Sequence, residues 1–407
     1  MDSDKNLINR KKNILFISTS FNYFVDNEIN SFLRMYNNLI YFHNHKDYNV
    51  IVLQPYSDKN KENYKLKKNI ITYYFREIKI FNNNLVPFTD FNPFYFYKVL
   101  KVIKKHKIDL IHVDFLYGIN CLRFLKKIPL SYNAHNVEFV YANQIGKFDK
   151  KIPKILRKFF EKYVYILEKN VLKIVQNINA LSSNDKNDFL KIYNTPKEKI
   201  IINSLGLNNK INSNLIEQKI ARRRLNIDEN KFVIVFHGNL YKRDNIEALK
   251  IIKEEIIPKT DDKLFLFLIA GKMPPYKNQL NLRYLGFLDE LNEFLCAADV
   301  AIIPVLRGSG INTKIIDYLS AYLPIITTKI GSRGLSLENG LHGYIVTDPI
   351  KDTIEKLNEL RNNPEKLDEF RRNIKELVWD KYNWDRILEG IAKRYNTLIE
   401  YYKTISN

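Results

Sequence analysis

Along the whole chain, short runs rich in β-branched and aromatic residues alternate with longer stretches of helical period. That alternation is the mark of repeated strand–helix–strand units, and it restricts the chain to the α/β class with parallel, doubly wound sheets. One series of strand-length runs covers residues 13–18, 50–53, 70–74, 109–113, 130–134, 180–182 and 200–202. A second covers 232–236, 264–270, 283–285, 300–304, 324–328 and 344–346. Between them, residues 208–214 are polar and aperiodic, as a linker is. The predicted organisation is therefore a first domain over 1–210 and a second over 211–383. A last helix over 384–407 carries Leu388, Ile391, Tyr395, Leu398 and Ile399 on one face and is expected to pack back on the first domain. Two such sheets in tandem predict a cleft between the carboxyl ends of their strands, where open α/β sheets take ligands.

Composition removes several other classes. The 407 residues suffice for two or three domains of roughly 150 residues each. A hydrophobic share of 45% with 26 Tyr and 25 Phe excludes a disordered chain, and 13 Gly with 13 Pro excludes collagen-like and low-complexity architectures. Cys121 and Cys296 stand far apart and neither lies in a CxxC, which removes a disulfide framework and a cysteine-based zinc site. No run approaches the roughly 18 continuous apolar residues of a membrane span, and the apolar stretch 14–17 is too short for a signal-peptide core. The expected location is cytoplasmic.

The formal charge of +20 attracts phosphate-bearing partners, yet the basic residues are spread along the chain and no nucleic-acid recognition motif occurs, so no specific nucleic acid is expected. One stretch concentrates charge and apolar surface together. Residues 150–167 set Ile155, Phe159, Phe160, Tyr163 and Leu167 on a helical stripe among Lys154, Arg157, Lys158 and Lys162. The pattern fits a helix lying on an anionic membrane, at the inner face of the cell membrane, and equally a core helix with a solvated basic face.

The passage most informative about chemistry is the segment that opens with Arg307, Gly308, Ser309 and Gly310. It follows a strand ending at Pro304 and opens a helix expected over 312–321. Glycines before a helix leave backbone N–H groups free at the positive end of the helix dipole, which suits a phosphate. Arg307 and Lys314 flank the loop, and Asp317, one turn beyond Thr313, lies on the same face, able to accept hydrogen bonds from ribose hydroxyls. As a bare pattern, this also fits a tight structural turn.

These residues resemble glycosyltransferase family 4 (group 1), whose members are retaining enzymes of the GT-B fold, two Rossmann-like domains facing across a cleft. The resemblance spans nearly the whole chain and is densest over 232–335, with Phe236-His-Gly-Asn-Leu, Leu268-Ile-Ala-Gly, Ala298-Asp-Val-Ala-Ile-Ile-Pro and Thr328-Lys-Ile-Gly-Ser-Arg-Gly-Leu in the family's order. It implies a nucleotide diphosphate sugar as donor and a glycan or lipid-linked acceptor. It assigns the donor diphosphate to the backbone of Gly310, Ile311, Asn312 and Thr313, with Lys314 and His135 as the catalytic candidates. The family's carboxylate pair falls on Ser309 and Asp317, so one carboxylate is absent and the other is shortened from Glu.

After the first strand of the second domain the family places an Arg and a Lys near the phosphates. Here Gly238 is followed by Asn239, with Lys242 and Arg243 close to the family's Lys position; either fits the diphosphate, and so does a solvated loop. Gly286 falls where the family holds the base. In the first domain His135, in Tyr132-Asn-Ala-His-Asn-Val-Glu, resembles the family histidine that reaches the donor sugar. Glu138 fits an acceptor contact or a helix cap, and His112, inside a strand, reads as structural. Asn22 stands where the family offers glycines and suggests an atypical acceptor side.

The implied reaction moves a sugar to an acceptor hydroxyl with retention, aided by stabilisation of the departing nucleoside diphosphate. No Asp-x-Asp follows a strand, so no metal requirement is expected. A GT-B sugar-nucleotide epimerase is the main rival, though its acid and base carboxylates have no assignment here. A Walker-type nucleotidase is disfavoured because no GxxxxGK[ST] occurs.

Overall fold

The computed structural model describes residues 10–19, 23, 30–56, 69–76, 90, 92–148, 154–207, 215–272, 276–307 and 311–406. Two compact units emerge, Met1–Leu205 with Trp384–Asn407 and Gly206–Asn383. The division between the sheets thus falls at Leu205, a few residues before Lys210.

In the first unit the strands are β1 (Lys12–Ser18), β2 (Tyr48–Pro55), β3 (Ile71–Phe75), β4 (Leu110–Asp114), β5 (Leu130–Asn133), β6 (Asn177–Ala180) and β7 (Ile200–Ile202). All pair in parallel, in the order β3-β2-β1-β4-β5-β6-β7. The helices are α1 (Asn30–Asn44), α2 (Pro93–His106), α3 (Glu138–Phe148), α4 (Lys154–Ile174) and α5 (Ser183–Tyr193). Because side chains alternate across a strand, β1 divides its core between two faces. Leu15 and Ile17 join α2 and α4 on one face, whereas Ile14 and Phe16 meet α1 and the last helix on the other.

In the second unit α6 (Leu215–Arg224) precedes β8 (Phe232–His237), α7 (Arg243–Ile251), β9 (Phe265–Ala270), β10 (Leu282–Gly286), α8 (Asn292–Cys296), β11 (Val300–Ile303), α9 (Lys314–Ser320), β12 (Ile325–Thr328), β13 (Gly343–Val346), α10 (Lys351–Asn362) and α11 (Pro364–Lys381). Its six parallel strands run β10-β9-β8-β11-β12-β13. Strands β8, β9, β11 and β12 are buried along their whole length, as expected of parallel strands covered on both sides.

α12 (Trp384–Ser406) then returns to the first unit, where Leu388, Ile391, Tyr395 and Ile399 pack with Met35, Leu39 and Phe42 of α1. Two sequence boundaries move. Residues 180–182 mark the end of a strand already running from Asn177, because Ser182 leaves the sheet to cap α5, its hydroxyl accepting from the Asp185 N–H at 3.1 Å. The helix expected over 312–321 spans Lys314–Ser320.

Candidate active site

In both sheets the chain reverses its direction of winding beside the first strand, between β1 and β4 and between β8 and β11. Open α/β sheets bind ligands outside the carboxyl ends of the strands at such switch points. Each switch point here carries a cluster of buried polar groups.

In the second unit the strand ends meet backbone to backbone. The Gly238 N–H donates to Ala270 O at 3.0 Å and the Gly271 N–H to Gly286 O at 2.7 Å. A Cβ at Gly271, whose φ is +124°, would lie 1.9 Å from the Gly238 carbonyl oxygen, so only glycine fits. Beside this edge α9 buries Lys314, which is 8% exposed. Its Nζ donates to Asn245 Oδ1 at 2.5 Å and stands 4.7 Å from the centre of the Phe236 ring. Asn245 is held in turn by its bond to Asn239 O at 2.9 Å. Among the described residues both direct partners of this ammonium are neutral. Burial pushes Lys314 down to about 8, with Lys242 acting in the same sense and Asp244 and Asp317 opposing.

Asp317, on the next turn, places Oδ2 3.4 Å from Nε2 of His237. Burial pushes the Asp317 carboxyl up to about 7, against the pull of Lys314. Burial and the Lys314 charge push His237 down to about 3, so its ring is neutral at pH 7. The Tyr318 hydroxyl accepts the His237 backbone N–H at 3.0 Å, which ties α9 to the end of β8.

The remaining donor-side residues divide by exposure. Ile311 packs against Gly334, where an added Cβ would meet its Cγ1 at 2.7 Å. Asn312 and Thr313 are half-buried, and their carbonyls accept from Ile315 at 3.1 Å and Ile316 at 3.0 Å, a tight first turn before the regular helix. Gly286 ends β10 with φ +73°. Lys242, exposed, precedes α7. Arg243 and Arg307 both approach Glu247, at 3.0 and 3.9 Å, and both are exposed enough to leave it for another anion. Ser309, Gly310 and Asn22 lie outside the described residues.

In the first unit the centre of the cluster is Asp114, fully buried at the end of β4. Its Oδ1 accepts from Asn133 Nδ2 at 2.6 Å and meets His135 Nε2 at 3.0 Å. Its Oδ2 accepts from the Tyr23 hydroxyl at 2.5 Å and lies 3.3 Å from His112 Nε2. Burial opposes the charge, but the two histidines outweigh it and hold Asp114 well below the usual carboxylate range. His135 stacks on Phe115, ring centres 4.3 Å apart and 16° from parallel. Phe115 has φ +74°, a conformation that costs a bulky residue about 1–3 kcal/mol. Arg34 of α1, also fully buried, donates to Ala134 O at 2.7 Å and Asn179 O at 2.9 Å, fixing the residue before His135. Burial lowers Arg34 to about 10 and pushes His135 down.

Glu138 does not cap its helix. That role belongs to Glu168 of α4, whose two oxygens accept from the N–H groups of Glu138 at 2.9 Å and Phe139 at 3.1 Å, and from the Tyr193 hydroxyl at 2.6 Å. Burial raises Glu168 to about 7, and burial together with Glu168 raises Glu138 to about 8. The stripe over 150–167 also divides. Val164 and Leu167 are core residues, as are Val171 and Leu172 beyond it, whereas Ile155 and Phe159 are 82% and 72% exposed beside exposed Lys158 and Lys162. Residues 150–153 lie outside the described set.

Sequence reasoning missed His237 and Asn245, and also Asp114, Arg34, Glu168 and Tyr395. One usable signal was available: Asp114 and His237 each end a buried strand next to a switch point, where a polar residue is out of pattern. Among the described residues no group of three or more His, Cys, Asp or Glu stands ready to hold a metal ion. No helix there is long and apolar enough to cross a membrane.

Two parallel-sheet α/β units in tandem are the architecture of the GT-B fold. Within it, the chain belongs to glycosyltransferase family 4, group 1. Residues 37–209 match the Glycosyltransferase Family 4 model and residues 231–363 the model of Glycosyl transferases group 1. An uncharacterized glycosyltransferase of Methanocaldococcus jannaschii is 23% identical over 74% of this chain and 79% of its own length. A protein described as a probable sucrose-phosphate synthase of Thermosipho melanesiensis is 25% identical over 68% of this chain and 65% of its own. Among solved structures, the sucrose-phosphate synthase of Thermosynechococcus elongatus superposes with a TM-score of 0.69 at 15% identity, covering 96% of this chain and 100% of that one. Anabaena HepE in complex with UDP gives 0.66 at 14% identity over 95% of this chain and 100% of that one.

Proposed function

We propose that the protein transfers a sugar from a nucleotide diphosphate sugar to an acceptor hydroxyl with retention at the anomeric carbon, as a hexosyltransferase of surface glycan, polysaccharide or glycolipid synthesis. The observation that carries this reading is the buried ammonium of Lys314, which among the described residues has only neutral direct partners at the switch point of the second sheet. A buried charge is costly unless an opposite charge meets it, and a diphosphate is an anion suited to that place. HepE structures hold UDP and UDP-glucose, which makes uridine nucleotides the first donors to test.

In this reading Lys314 stabilises the negative charge that grows on the departing diphosphate, and being already desolvated it needs little reorganisation to do so. The backbone from Ile311 to Thr313 and Gly238 serve the phosphates, a role that extends to Ser309 and Gly310 outside the described residues, and Arg307, Lys242 and Arg243 supply outer charge. Asp317, with His237 beside it, takes the ribose hydroxyls, and Gly286 borders the base. His135 serves the sugar, and Asn22 and Glu138 the acceptor. Lys314 supplies the charge that a metal supplies elsewhere, so turnover should survive EDTA. The exposed pair Ile155 and Phe159, with Lys158 and Lys162, is suited to peripheral contact with an anionic bilayer bearing a lipid-linked acceptor.

The test is incubation with a panel of nucleotide sugars and with glycan and lipid-linked acceptors, reading the anomeric configuration of the product by NMR. Retained configuration supports the proposal. Interconversion of the nucleotide sugar without any acceptor would instead favour an epimerase, and inversion would overturn the retaining assignment.

A further inference from the structure

We propose that Asp114 and Tyr395 are positioning residues for His135, holding its imidazole with the proton on Nε2 so that Nδ1 meets a sugar hydroxyl as a fixed hydrogen-bond acceptor. The argument is one of saturation. A carboxylate has about four lone-pair sites and, when ionised, no donor. Asp114 has four groups around it: Asn133 and His135 on Oδ1, at 2.6 and 3.0 Å, and Tyr23 and His112 on Oδ2, at 2.5 and 3.3 Å. An ionised carboxylate only accepts, so His135, hydrogen-bonded to Oδ1, carries its proton on Nε2, and His112, with Nε2 3.3 Å from Oδ2, is placed to do the same.

The consequence for His112 runs outward to the last helix. With its proton on Nε2, His112 leaves Nδ1 to accept from the Tyr395 hydroxyl at 2.7 Å. Having given its proton to His112, that hydroxyl accepts from Asn179 Nδ2 at 2.9 Å and from Ser131 Oγ at 2.9 Å. Ser131 Oγ in turn accepts from Asn177 Nδ2 at 2.9 Å. These contacts form one buried polar chain, with His112 Nε2 3.3 Å from Asp114 Oδ2 at its inner end. It joins α12 to β4, β5 and β6 and ends on His135.

For His135 the other ring nitrogen, Nδ1, has no partner among the described residues. The ring cannot turn freely to use it elsewhere, because Phe115, held at φ +74°, stacks on one face and Arg34 pins the carbonyl of Ala134. The charged and titratable groups facing His135 are Asp114 and His112 from β4 and Arg34 from α1. A neutral imidazole fixed in this way has a lone pair at Nδ1, and a hydroxyl is the substrate group that supplies the matching hydrogen. The inference rests on the glycosyl-transfer reading only in calling that hydroxyl a sugar's.

The experiment is long-range proton–nitrogen NMR on the full, nitrogen-15-labelled chain at neutral pH. The expected result is a neutral His135 with its proton on Nε2 and Nδ1 bare; an imidazolium, or a proton on Nδ1, would overturn the inference. Asp114→Asn should lower kcat by on the order of 10²-fold or more with little change in donor KM, as loss of a tautomer-fixing carboxylate does. Tyr395→Phe keeps the ring and removes only the hydroxyl. It should leave His112 Nδ1 without its hydroxyl partner, shift that nitrogen's resonance and lower kcat several-fold. A lowered melting temperature with an unchanged Nδ1 resonance and unchanged kcat would remove Tyr395 from the positioning role. If the wild-type chain turns over no nucleotide sugar while His135 shows the expected tautomer, the transferase reading falls and the positioning stands.

Discussion

Replacing Lys314 by Met should make the protein less active and, at neutral pH, more stable. Burial lowers this lysine from 10.5 to about 8, so the charged form costs the folded state about 3 kcal/mol. Because the folded value lies below the unfolded one, the penalty is complete below pH 8 and is relieved as pH rises from 8 towards 10.5. Met removes the penalty but leaves Asn245 Oδ1 without its donor and weakens the contact with Phe236, together about 1–2 kcal/mol. The net gain at pH 7 is therefore about 1–2 kcal/mol, or roughly 2–8 °C in the melting temperature of the second unit. Near pH 10 most of the penalty has vanished for the wild type, and the variant should become the less stable of the two. Paired thermal melts of both proteins at pH 7 and pH 10 measure the crossover, and turnover at pH 7 should fall by about 10²- to 10³-fold. Equal destabilisation at both pH values, or wild-type turnover in the variant, would refute the account of Lys314 as a charge held ready for an anion.

Gly271→Ala forces a Cβ to within 1.9 Å of a backbone oxygen at φ +124° and should destabilise the second unit by at least about 3 kcal/mol in urea titration. By contrast, Gly390→Ala, in the interior of α12 with open space around its Cβ, should stabilise by about 0.5–1 kcal/mol in the same assay. Asp317→Asn should weaken uridine diphosphate binding in calorimetry while leaving the melting temperature close to wild type; an unchanged affinity would dismiss the ribose role. The double change Ile155→Asp with Phe159→Asp should abolish co-sedimentation with vesicles containing anionic lipid without altering turnover of a soluble acceptor. Retained sedimentation would place any membrane contact elsewhere.

The strand–helix alternation is a local pattern, carried by neighbours in the chain, and so it could be read before any folding is considered, whereas the linker expected over 208–214 and the glycines before α9 lie outside the described residues. Lys314 and Asp317 were recognisable for the same reason, since helical spacing alone puts them on one face. The family resemblance added His135 but not what holds it. Asp114 lies 21 residues from His135, and Tyr395 lies 283 residues from His112. Such pairs meet only once β4 and β5 have taken their parallel register and α12 has returned from beyond the second unit.

Glu168 displaced Glu138 as the cap of α3 for a like reason, because α4 brings a longer-range carboxylate to the exposed N–H groups. The stripe over 150–167 shows the limit most directly: one uninterrupted helical period contains both core residues and exposed ones, and periodicity records a face without saying what covers it. Periodicity and turn chemistry are set by nearest neighbours, so they decided the elements, their order and the class of fold. Burial, pairing and protonation depend on groups that only the packed chain brings together, and these decided what holds His135 and left the Lys314 ammonium buried beside neutral groups.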